Sequence, residues 1–356
     1  MPVTVITGFL GSGKTTLLSR LLAQPALADS AVVINEFGEI GIDHLLVSTP
    51  AENMVLLDTG CLCCTIRGDL IETLAELWRK RESGAVPRFS HLLIETTGLA
   101  DPVPVLQSIV SDPALREVYT LENVVSLVDA VNGPSQLENH PESVKQAAVA
   151  DALLITKTDI AAAAPVAALT QRLEELNPAA EVHYVVNGDI DAGVLRGKTP
   201  EPDMRPEDVD RWLKIARFAA DGHPYGDAGA HRHEQSIRAY AFFREAPIRS
   251  AGLAVWLDMI AGLRGAKLLR VKGVLNVEGA PVLVNAVQSV VHEPVALESW
   301  PDDERRSRLV FIARDMEREE VERTFEAFDF APASLEKGVF NPAAYAQFVD
   351  AMKGFV

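Results

Sequence analysis

The chain has 356 residues, of which 48% are apolar and 23% charged, and its formal net charge at pH 7 is −17. These values are typical of a globular protein with about two domains, and the negative charge argues against nucleic acid or an anionic membrane as the main partner, since both bind basic surfaces. No apolar run reaches the roughly 20 residues of a membrane-spanning helix, and no basic segment of a secretory signal precedes the first apolar run, so we expect a cytoplasmic protein.

Seven short apolar runs in the first half of the chain predict β-strands. The runs are continuous rather than alternating, which is typical of parallel strands covered on both faces. Helical patterns lie between them, for example at 14–23 and 65–81, so the order is that of a βαβ series. We therefore expect an α/β fold with a mostly parallel, doubly wound sheet. The predicted strands are residues 3–7, 31–35, 54–58, 91–95, 124–129, 152–156 and 182–186.

The pattern changes near residue 197, which ends the first predicted domain (1–197). Residues 198–235 are rich in Pro, Gly, His and acidic residues, which indicates a linker with one short helix near 209–218. A smaller α+β domain is predicted over 236–330, and the tail 331–356 is expected to dock as a helix. In this second domain we predict strands at 236–243, 267–279, 281–287 and 308–314, helices at 249–263 and 317–328, and a hairpin turn within 276–282.

The sequence GFLGSGKT (8–15) fits the phosphate-loop pattern G-x-x-x-x-G-K-[ST]. It follows a predicted strand and opens a predicted helix, the context in which backbone N–H groups and a helix N-terminus bind phosphate. Lys14 would reach the β- and γ-phosphates, Thr15 would hold Mg²⁺, and Thr16 would contact the α-phosphate. The predicted nucleotide-binding residues of this loop are Gly8, Gly11, Ser12, Gly13, Lys14, Thr15 and Thr16.

A second acidic group for Mg²⁺ is expected at the end of another strand. Glu95 comes directly after the apolar run HLLI, and Gly98 follows three residues later. A carboxylate at this position orients the water shell of Mg²⁺, and the Gly98 N–H would sense the γ-phosphate. The usual acid is Asp, and the longer Glu side chain would act through water. The predicted catalytic residues are Lys14, Glu95 and Gly98.

The sequence TKTD, which follows the predicted strand ALLI, predicts recognition of guanine. Asp159 would accept hydrogen bonds from guanine N1–H and N2–H₂, whereas adenine has an acceptor at N1 and would be rejected. Lys157 would pack its stem over the base, and Thr156 stands where GTPases usually have Asn. Asn187, in the sequence VNGD, is expected to border the base through backbone N–H groups. The predicted ligand is therefore GTP with Mg²⁺.

The three cysteines of the chain, Cys61, Cys63 and Cys64, lie within four positions. Buried structural thiols are improbable for adjacent cysteines in a loop, and a disulfide within Cys-x-Cys-Cys would be strained. Thiolates at the start of a helix suit a soft metal ion such as Zn²⁺ or Cu⁺. A structural zinc site needs a second pair of ligands, so an open, exchangeable site completed by a carboxylate or water fits better. Candidate oxygen donors are Glu36, Glu39 and Asp43.

Taken in order, the phosphate loop, NEFGEIGID, GCLCC, ETTGLADP and TKTD resemble the CobW-like family of metal-chaperone P-loop GTPases, which is related to the GTPases that mature urease and hydrogenase. In the second domain, LLRVKGVLN, VQSVVH and RSRLVFI resemble the C-terminal domain of that family. The resemblance implies GTP hydrolysis coupled to delivery of Zn²⁺ or Co²⁺ to a client metalloprotein or cofactor-synthesis protein through the C-terminal domain. It also implies a metal site formed by Cys61, Cys63 and Cys64, with Glu36 and Glu39 as co-ligands.

Two other classes of protein remain open. A metal sensor or storage protein would use the nucleotide only to stabilise its fold, and a P-loop kinase or ATPase would carry the thiols incidentally. Many relatives have a long His-rich linker, whereas only His223, His231 and His233 gather in the linker here. Two of them form an H-x-H pair, which predicts at most weak metal binding.

Overall fold

The computed structural model describes residues 1–35, 54–56, 66–197, 202–205, 209, 237–262, 267–288 and 290–330. Most of the predicted linker, including residues 210–218 of its short helix, and the predicted tail helix lie outside these residues. Among the helices of the described part of the chain, none is long and apolar enough to cross a membrane.

A seven-stranded parallel sheet forms from the first half of the chain. Its strands follow the order β3-β2-β4-β1-β5-β6-β7, and every pairing is parallel. The predicted strands are confirmed to within a few residues, and the largest difference is that β5 begins four residues earlier than predicted. The bounds are β1 (Pro2–Gly8), β2 (Ser30–Asn35), β3 (Met54–Leu56), β4 (His91–Thr96), β5 (Thr120–Asp129), β6 (Ala152–Thr156) and β7 (Glu181–Val185).

Helices cover both faces of this sheet. They are α1 (Lys14–Leu21), α2 (Ile66–Ser83), α3 (Val103–Ser111), α4 (Pro113–Arg116), α5 (Gly133–Asn139), α6 (Pro141–Val149) and α7 (Ala163–Leu176). Two adjacent residues of β1 show the arrangement, because Val5 packs in a buried cluster with α2, α3, α6 and α7, whereas Ile6 packs in a separate cluster with α1. Burial on both faces is the reason that the strands are continuous apolar runs, and the predicted doubly wound α/β fold is confirmed.

The second half of the chain forms a smaller antiparallel sheet. Its strands follow the order β11-β10-β9-β13-β8, with β12 also paired to β10. The predicted hairpin turn joins β9 to β10 through Glu278 and Gly279, whose φ angles of 52° and 97° suit a two-residue turn with positive φ at both positions. The bounds are β8 (Ile237–Arg244), β9 (Leu268–Val277), β10 (Ala280–Val287), β11 (Val290–Val291), β12 (Val295–Ala296) and β13 (Ser307–Arg314).

Two helices, α8 (Ser250–Gly262) and α9 (Arg318–Thr324), pack on this second sheet. The fully buried Trp256 of α8 donates its indole N–H to Thr324 Oγ1 at 3.1 Å. The helix predicted at 317–328 is shorter than expected, because a 3₁₀ helix (Phe325–Asp329) follows α9. Residues three apart eclipse in a 3₁₀ helix, and the rings of Phe325 and Phe328 accordingly stack with centroids 5.3 Å apart. The predicted α+β character of this domain is confirmed.

The two domains meet at a charged cluster, which we call the junction cluster: Asp151, Arg270 and Lys272. The cations lie on β9 and are 0% and 3% exposed. Arg270 donates to Asp151 and, at 2.8 Å, to the carbonyl of Val149 at the end of α6, while Lys272 Nζ lies 3.1 Å from Asp151 Oδ1. Burial lowers the pKa of Lys272 to about 8. Burial acts to raise the pKa of Asp151, but Arg270 and Lys272 outweigh it and lower that pKa.

Apolar side chains continue across this junction. Leu269, Val287 and Val290 of the second domain belong to the same buried cluster as the core residues of α3 and α6 in the first domain. One buried cluster is therefore shared between the two domains, whereas the clusters around Ile6 and Trp256 each lie within one domain.

Candidate functional site

The sequence-predicted nucleotide residues lie at one edge of the first sheet. In the strand register Ile6 lies beside Glu95, and Asp129 lies beside Thr156. The loops that follow β1, β4, β5 and β6 therefore begin at the same carboxyl edge. This is the edge at which open α/β sheets bind their ligands.

The phosphate loop has the backbone that its glycines predict. Gly8, Gly11 and Gly13 have φ angles of 139°, 73° and 96°, which L side chains rarely adopt. A Cβ atom on Gly8 would also lie 2.5 Å from the Leu127 carbonyl oxygen. Glycine is therefore required at Gly8 both by conformation and by the close approach of β5.

Helix α1 begins directly after this loop, and no side chain caps its N-terminus. Backbone N–H groups in the first turn of a helix have no partner within the helix, and together with the helix dipole they favour an anion. Lys14 Nζ donates to the carbonyls of Gly8 (2.9 Å) and Phe9 (3.3 Å), which keeps the ammonium group at the loop. The side chains of Thr15 and Thr16 are exposed. This donor set fits a phosphate group.

Glu95, the penultimate residue of β4, is the acidic residue that the sequence predicts for Mg²⁺ at this edge. It is 7% exposed, and it lies one strand away from the phosphate loop, beside Ile6 of β1. The next residue, Thr96, donates its hydroxyl to Thr7 Oγ1 at 2.9 Å, which ties the ends of β4 and β1 together. Carboxylate and hydroxyl oxygens are ligands that Mg²⁺ prefers, so Glu95 and Thr15 fit this ion chemically.

The TKTD segment is bound directly to the phosphate loop. Thr156 Oγ1 donates to the carbonyl of Ser12 at 2.8 Å. Lys157 has a φ of 58°, a left-handed conformation that is uncommon for a residue other than glycine, and the side chain of Asp159 is exposed. Thr156 thus fixes the position of this segment relative to the loop that precedes α1.

Asn187 lies in a turn beside α1. Its φ is 50°, and that of Gly188 is 74°. A Cβ atom on Gly188 would lie 2.9 Å from the carbonyl oxygen of Thr16, so the turn packs closely against the first turn of α1. The structure therefore brings Asn187 to the same edge as the phosphate loop and the TKTD segment.

Asp129, at the end of β5, is a site residue that the sequence analysis did not single out. Its side chain is 1% exposed, and its Oδ2 accepts from Lys157 Nζ at 2.6 Å and from Asn132 Nδ2 at 2.9 Å. Its Oδ1 accepts from the N–H of Val131 at 2.7 Å. Burial acts to raise the pKa of Asp129, but these hydrogen bonds, first of all that from Lys157, outweigh it and lower the pKa. The available signal was an acidic residue directly after the apolar run VVSLV.

The predicted metal ligands Cys61, Cys63, Cys64, Glu36 and Glu39 lie outside the described residues, and so do His223, His231 and His233. Within the described part of the chain, no group of three or more His, Cys, Asp or Glu side chains is arranged to hold a metal ion. The structure therefore describes the nucleotide half of the predicted site, and the metal half stays a prediction.

A parallel sheet with a phosphate loop after β1, an acidic residue at the end of β4 and a TKTD segment after β6 define a P-loop GTPase. The family model described as the CobW/HypB/UreG nucleotide-binding domain matches residues 2–184, and that of the cobalamin synthesis protein cobW C-terminal domain matches residues 237–329. The chain belongs to this family, and the resemblance seen in the sequence is confirmed.

Relatives with this architecture match over most of their length. The zinc chaperone YjiA of Escherichia coli (strain K12) is 33% identical over 325 residues, which cover 91% of this chain and 97% of that protein. The zinc chaperone CobW of Pseudomonas aeruginosa is 29% identical over 345 residues, or 89% of this chain and 88% of that protein. The crystal structure of Zn(II)-bound YjiA GTPase from E. coli has a TM-score of 0.66 at 29% identity and covers 93% of this chain and 99% of that chain.

Proposed function

We propose that this chain is a GTP-hydrolysing metallochaperone, which binds a transition metal at Cys61, Cys63 and Cys64 and passes it to a client metalloprotein or a cofactor-synthesis protein. The observation that carries the proposal is the hydrogen bond between Thr156 and the Ser12 carbonyl. It joins the segment predicted to read guanine to the phosphate loop, at the sheet edge where β2 and β3 also end.

The described residues supply the parts of a GTP site. Lys14 and the backbone N–H groups of the phosphate loop would neutralise the phosphates, and Asp159 would select guanine by accepting from its N1–H and N2–H₂. Thr15 and Glu95 would hold Mg²⁺, which when bound neutralises charge on the β- and γ-phosphates. The Gly98 N–H would contact the γ-phosphate and so distinguish GTP from GDP.

Chain connectivity supports a metal site near this nucleotide. The strand β2 ends at Asn35, β3 ends at Leu56 beside it, and α2 begins at Ile66. Glu36 is the residue after β2, and Cys64 is two residues before Ile66. Since two residues span at most about 7 Å, covalent geometry keeps the cysteine motif close to the start of α2.

The relatives make zinc the first metal to test, since two of them are named zinc chaperones and a crystal structure of one carries Zn(II). Co²⁺ suits the same thiolate and carboxylate donors and is the second metal to test. Free thiols are kept reduced in the cytoplasm, which agrees with the expected cytoplasmic location. The client would bind the C-terminal domain.

In the proposed cycle, GTP brings Glu36 and Glu39 to the cysteines, and hydrolysis withdraws them so that the ion passes to the client. Two ligands that share one switch must change each other's affinity by the same factor, with a coupling free energy of typically ~1–3 kcal/mol. The affinity for the metal should therefore depend on which nucleotide is bound.

The test is a chelator-competition titration of Zn²⁺, repeated with Co²⁺, on the full chain loaded with Mg²⁺ and either GDP or a non-hydrolysable GTP analogue. We expect the two nucleotide states to differ in metal affinity by about fivefold or more. Cys63→Ser should abolish tight binding in both states. Lys14→Ala should keep metal binding and lose its dependence on the nucleotide, because the cysteines remain while the phosphate contact is removed.

Coincident curves for GDP and the GTP analogue would contradict a nucleotide-controlled chaperone and favour a metal sensor or storage protein. Unchanged metal affinity in Cys63→Ser would show that the cysteine motif does not hold the metal.

A further inference from the structure

The loop between β4 and α3 lies against the phosphate loop. A Cβ atom on Gly98 would lie 2.6 Å from the backbone nitrogen of Leu10, so the two main chains are in direct contact. The carbonyl of Thr97 accepts from the N–H of Ala100 at 3.1 Å, which closes a turn. In a trans peptide the C=O and N–H point in opposite directions. The Gly98 N–H therefore points away from the hydrogen bond that closes the turn.

Gln146 of α6 holds this turn from the side. Its side chain is 1% exposed, and its Nε2 donates to the carbonyls of Gly98 (3.1 Å) and Ala100 (3.0 Å). Because both partners are acceptors, the NH₂ group must face them, which fixes the orientation of the amide. Gln146 thus binds the main chain on both sides of Leu99, the exposed residue of the turn.

The neighbouring residue of α6 holds the rest of the loop. Lys145 forms an ion pair with Asp101. Asp101 also accepts from the N–H of Val103 at 3.0 Å, where α3 begins. Two consecutive side chains of α6 therefore fix the loop from its turn to its end.

The helix α6 is itself anchored at both ends. His140, which precedes it, contacts Phe9 of the phosphate loop with ring centroids 4.5 Å apart. At the other end, the buried amide of Asn177 donates to the carbonyls of Ala147 and Ala150, both at 2.9 Å. A side chain held on a fixed element places its partner more accurately than one on a mobile loop.

We propose that Gln146 is a positioning residue for GTP hydrolysis, which holds Gly98 where its N–H meets the γ-phosphate. The inference rests on the proposed function, in which Gly98 contacts that phosphate. GDP has no γ-phosphate, so Gln146 acts on the reaction of GTP and not on the binding of GDP. Misplacing a reacting contact by about 1 Å costs on the order of 100-fold in rate. Release of this loop could therefore slow hydrolysis by up to that factor.

The test compares Gln146→Met and Gln146→Glu with the same substitutions at Gln171, an exposed glutamine of α7. Single-turnover GTP hydrolysis and GDP affinity are measured on the full chain. We expect Gln146→Met to slow hydrolysis about tenfold or more and to bind GDP as the wild type does. The Gln171 variants should match the wild type in both measurements.

The glutamate variant gives a readout that a purely structural role would not produce. In Gln146→Glu an ionised carboxylate would face two carbonyl oxygens and repel them, whereas the protonated acid donates one hydrogen bond. Burial and this repulsion raise the pKa of the new carboxyl group. Its hydrolysis rate relative to the wild type should therefore recover as the pH falls.

Two results would overturn the inference: hydrolysis at the wild-type rate in both Gln146 variants, or a loss of GDP affinity as large as the loss of rate. If neither variant folds by circular dichroism, Lys145→Ala releases the other side of the loop from a partly exposed position. Lys145→Ala should slow hydrolysis while GDP affinity is retained. If its hydrolysis rate is unchanged, or if its GDP affinity falls as much as the rate, the inference is overturned as well. A wild-type chain that fails to hydrolyse GTP would instead contradict the proposed function.

Discussion

At the scale of single residues, Asp129 and Lys157 connect the end of β5 to the segment after β6 that is predicted to read guanine. The left-handed backbone of Lys157, with φ of 58°, costs on the order of 1–3 kcal/mol. Its ammonium lies 2.6 Å from the buried Asp129 carboxylate, and a hydrogen bond between charged groups contributes about 1.5–3 kcal/mol. The ion pair therefore offsets the backbone strain and holds the lysine that is predicted to pack over the base.

Asp129→Asn should weaken the binding of GTP and GDP alike, by about tenfold or more, because a charge-assisted hydrogen bond to Lys157 is replaced by a neutral one. Fluorescent-nucleotide titration measures both affinities. The preference for guanine over xanthine nucleotides should not change, since Asp159 is intact.

Asp159→Asn is the comparison variant, and it should shift that preference because an amide can donate to the carbonyl that xanthine presents in place of the guanine amino group. Wild-type nucleotide affinity in Asp129→Asn would show that the ion pair does not support the base site.

The residues of the phosphate loop could be predicted because they are consecutive, so a short pattern contains all of them. Asp129 and Gln146 could not, since their partners Lys157 and Gly98 lie 28 and 48 positions away along the chain. An acidic residue after a strand and a glutamine within a helix are ordinary surface residues until the fold supplies those partners.

At the scale of elements, the end of α6 depends on one side chain. Asn177 is 0% exposed, and its amide donates to the carbonyls of Ala147, Ala148 and Ala150 at 2.9, 3.1 and 2.9 Å. The last carbonyls of a helix have no partner within it. Asn177 thus acts as a C-terminal cap supplied by a distant part of the chain.

Asn177→Ala should lower the free energy of unfolding by about 2–3 kcal/mol, because buried carbonyls lose their donors. Urea denaturation measures the change. Asn139→Ala is the matched control, since this exposed asparagine donates to the carbonyl of Ser135 at 2.8 Å near the end of α5, and its loss should stay within about 0.5 kcal/mol. Equal losses in the two variants would contradict the capping role.

The strands of the first sheet were predictable because burial on both faces leaves long apolar runs. The helices α5 and α6 were not singled out, since at seven and nine residues they are too short for the helical period to be read from an 11–18-residue window. Pro134 and Pro141, in the first turns of these helices, were the remaining local signal.

At the scale of the whole molecule, His91 makes stability depend on pH. It opens β4 and is fully buried, and its Nε2 lies 3.0 Å from Thr4 Oγ1. The Thr4 hydroxyl donates to the Leu195 carbonyl at 2.6 Å, so it accepts from Nε2–H of a neutral ring. Burial, followed by the charge of Arg196, lowers the pKa of His91 to about 4.

The unfolded chain should bind a proton at His91 below pH about 6.5, whereas the folded chain does so only near pH 4. The contribution of His91 to the free energy of unfolding is therefore at its full value above pH about 6.5, and it falls by about 3 kcal/mol as the pH drops to 4. His91→Gln keeps a donor for Thr4 and does not titrate. The unfolding free energy of this variant, measured by urea titration, should fall less steeply over this pH range than that of the wild type. Parallel pH profiles of the two proteins would contradict the role of His91.

The apolar runs and the change of pattern near residue 197 were enough to predict a parallel α/β domain followed by a smaller α+β domain. They did not predict a shared core, because Leu269 and Val290 are ordinary strand residues until α3 and α6 lie against them. Two cations such as Arg270 and Lys272 on one strand are typical of a solvent-exposed face, and their burial follows from partners in the first domain, the Asp151 carboxylate and the Val149 carbonyl.

The junction cluster has a consequence for how the chain melts. Unfolding the second domain alone would leave Asp151 without both cations and expose the apolar residues that Leu269, Val287 and Val290 cover. Apolar surface exposed to water costs about 25 cal/mol per Å², so unfolding of one domain lowers the stability of the other. Calorimetry should therefore record one cooperative transition for the whole chain, and the first 197 residues expressed alone should melt at a lower temperature than they do within it.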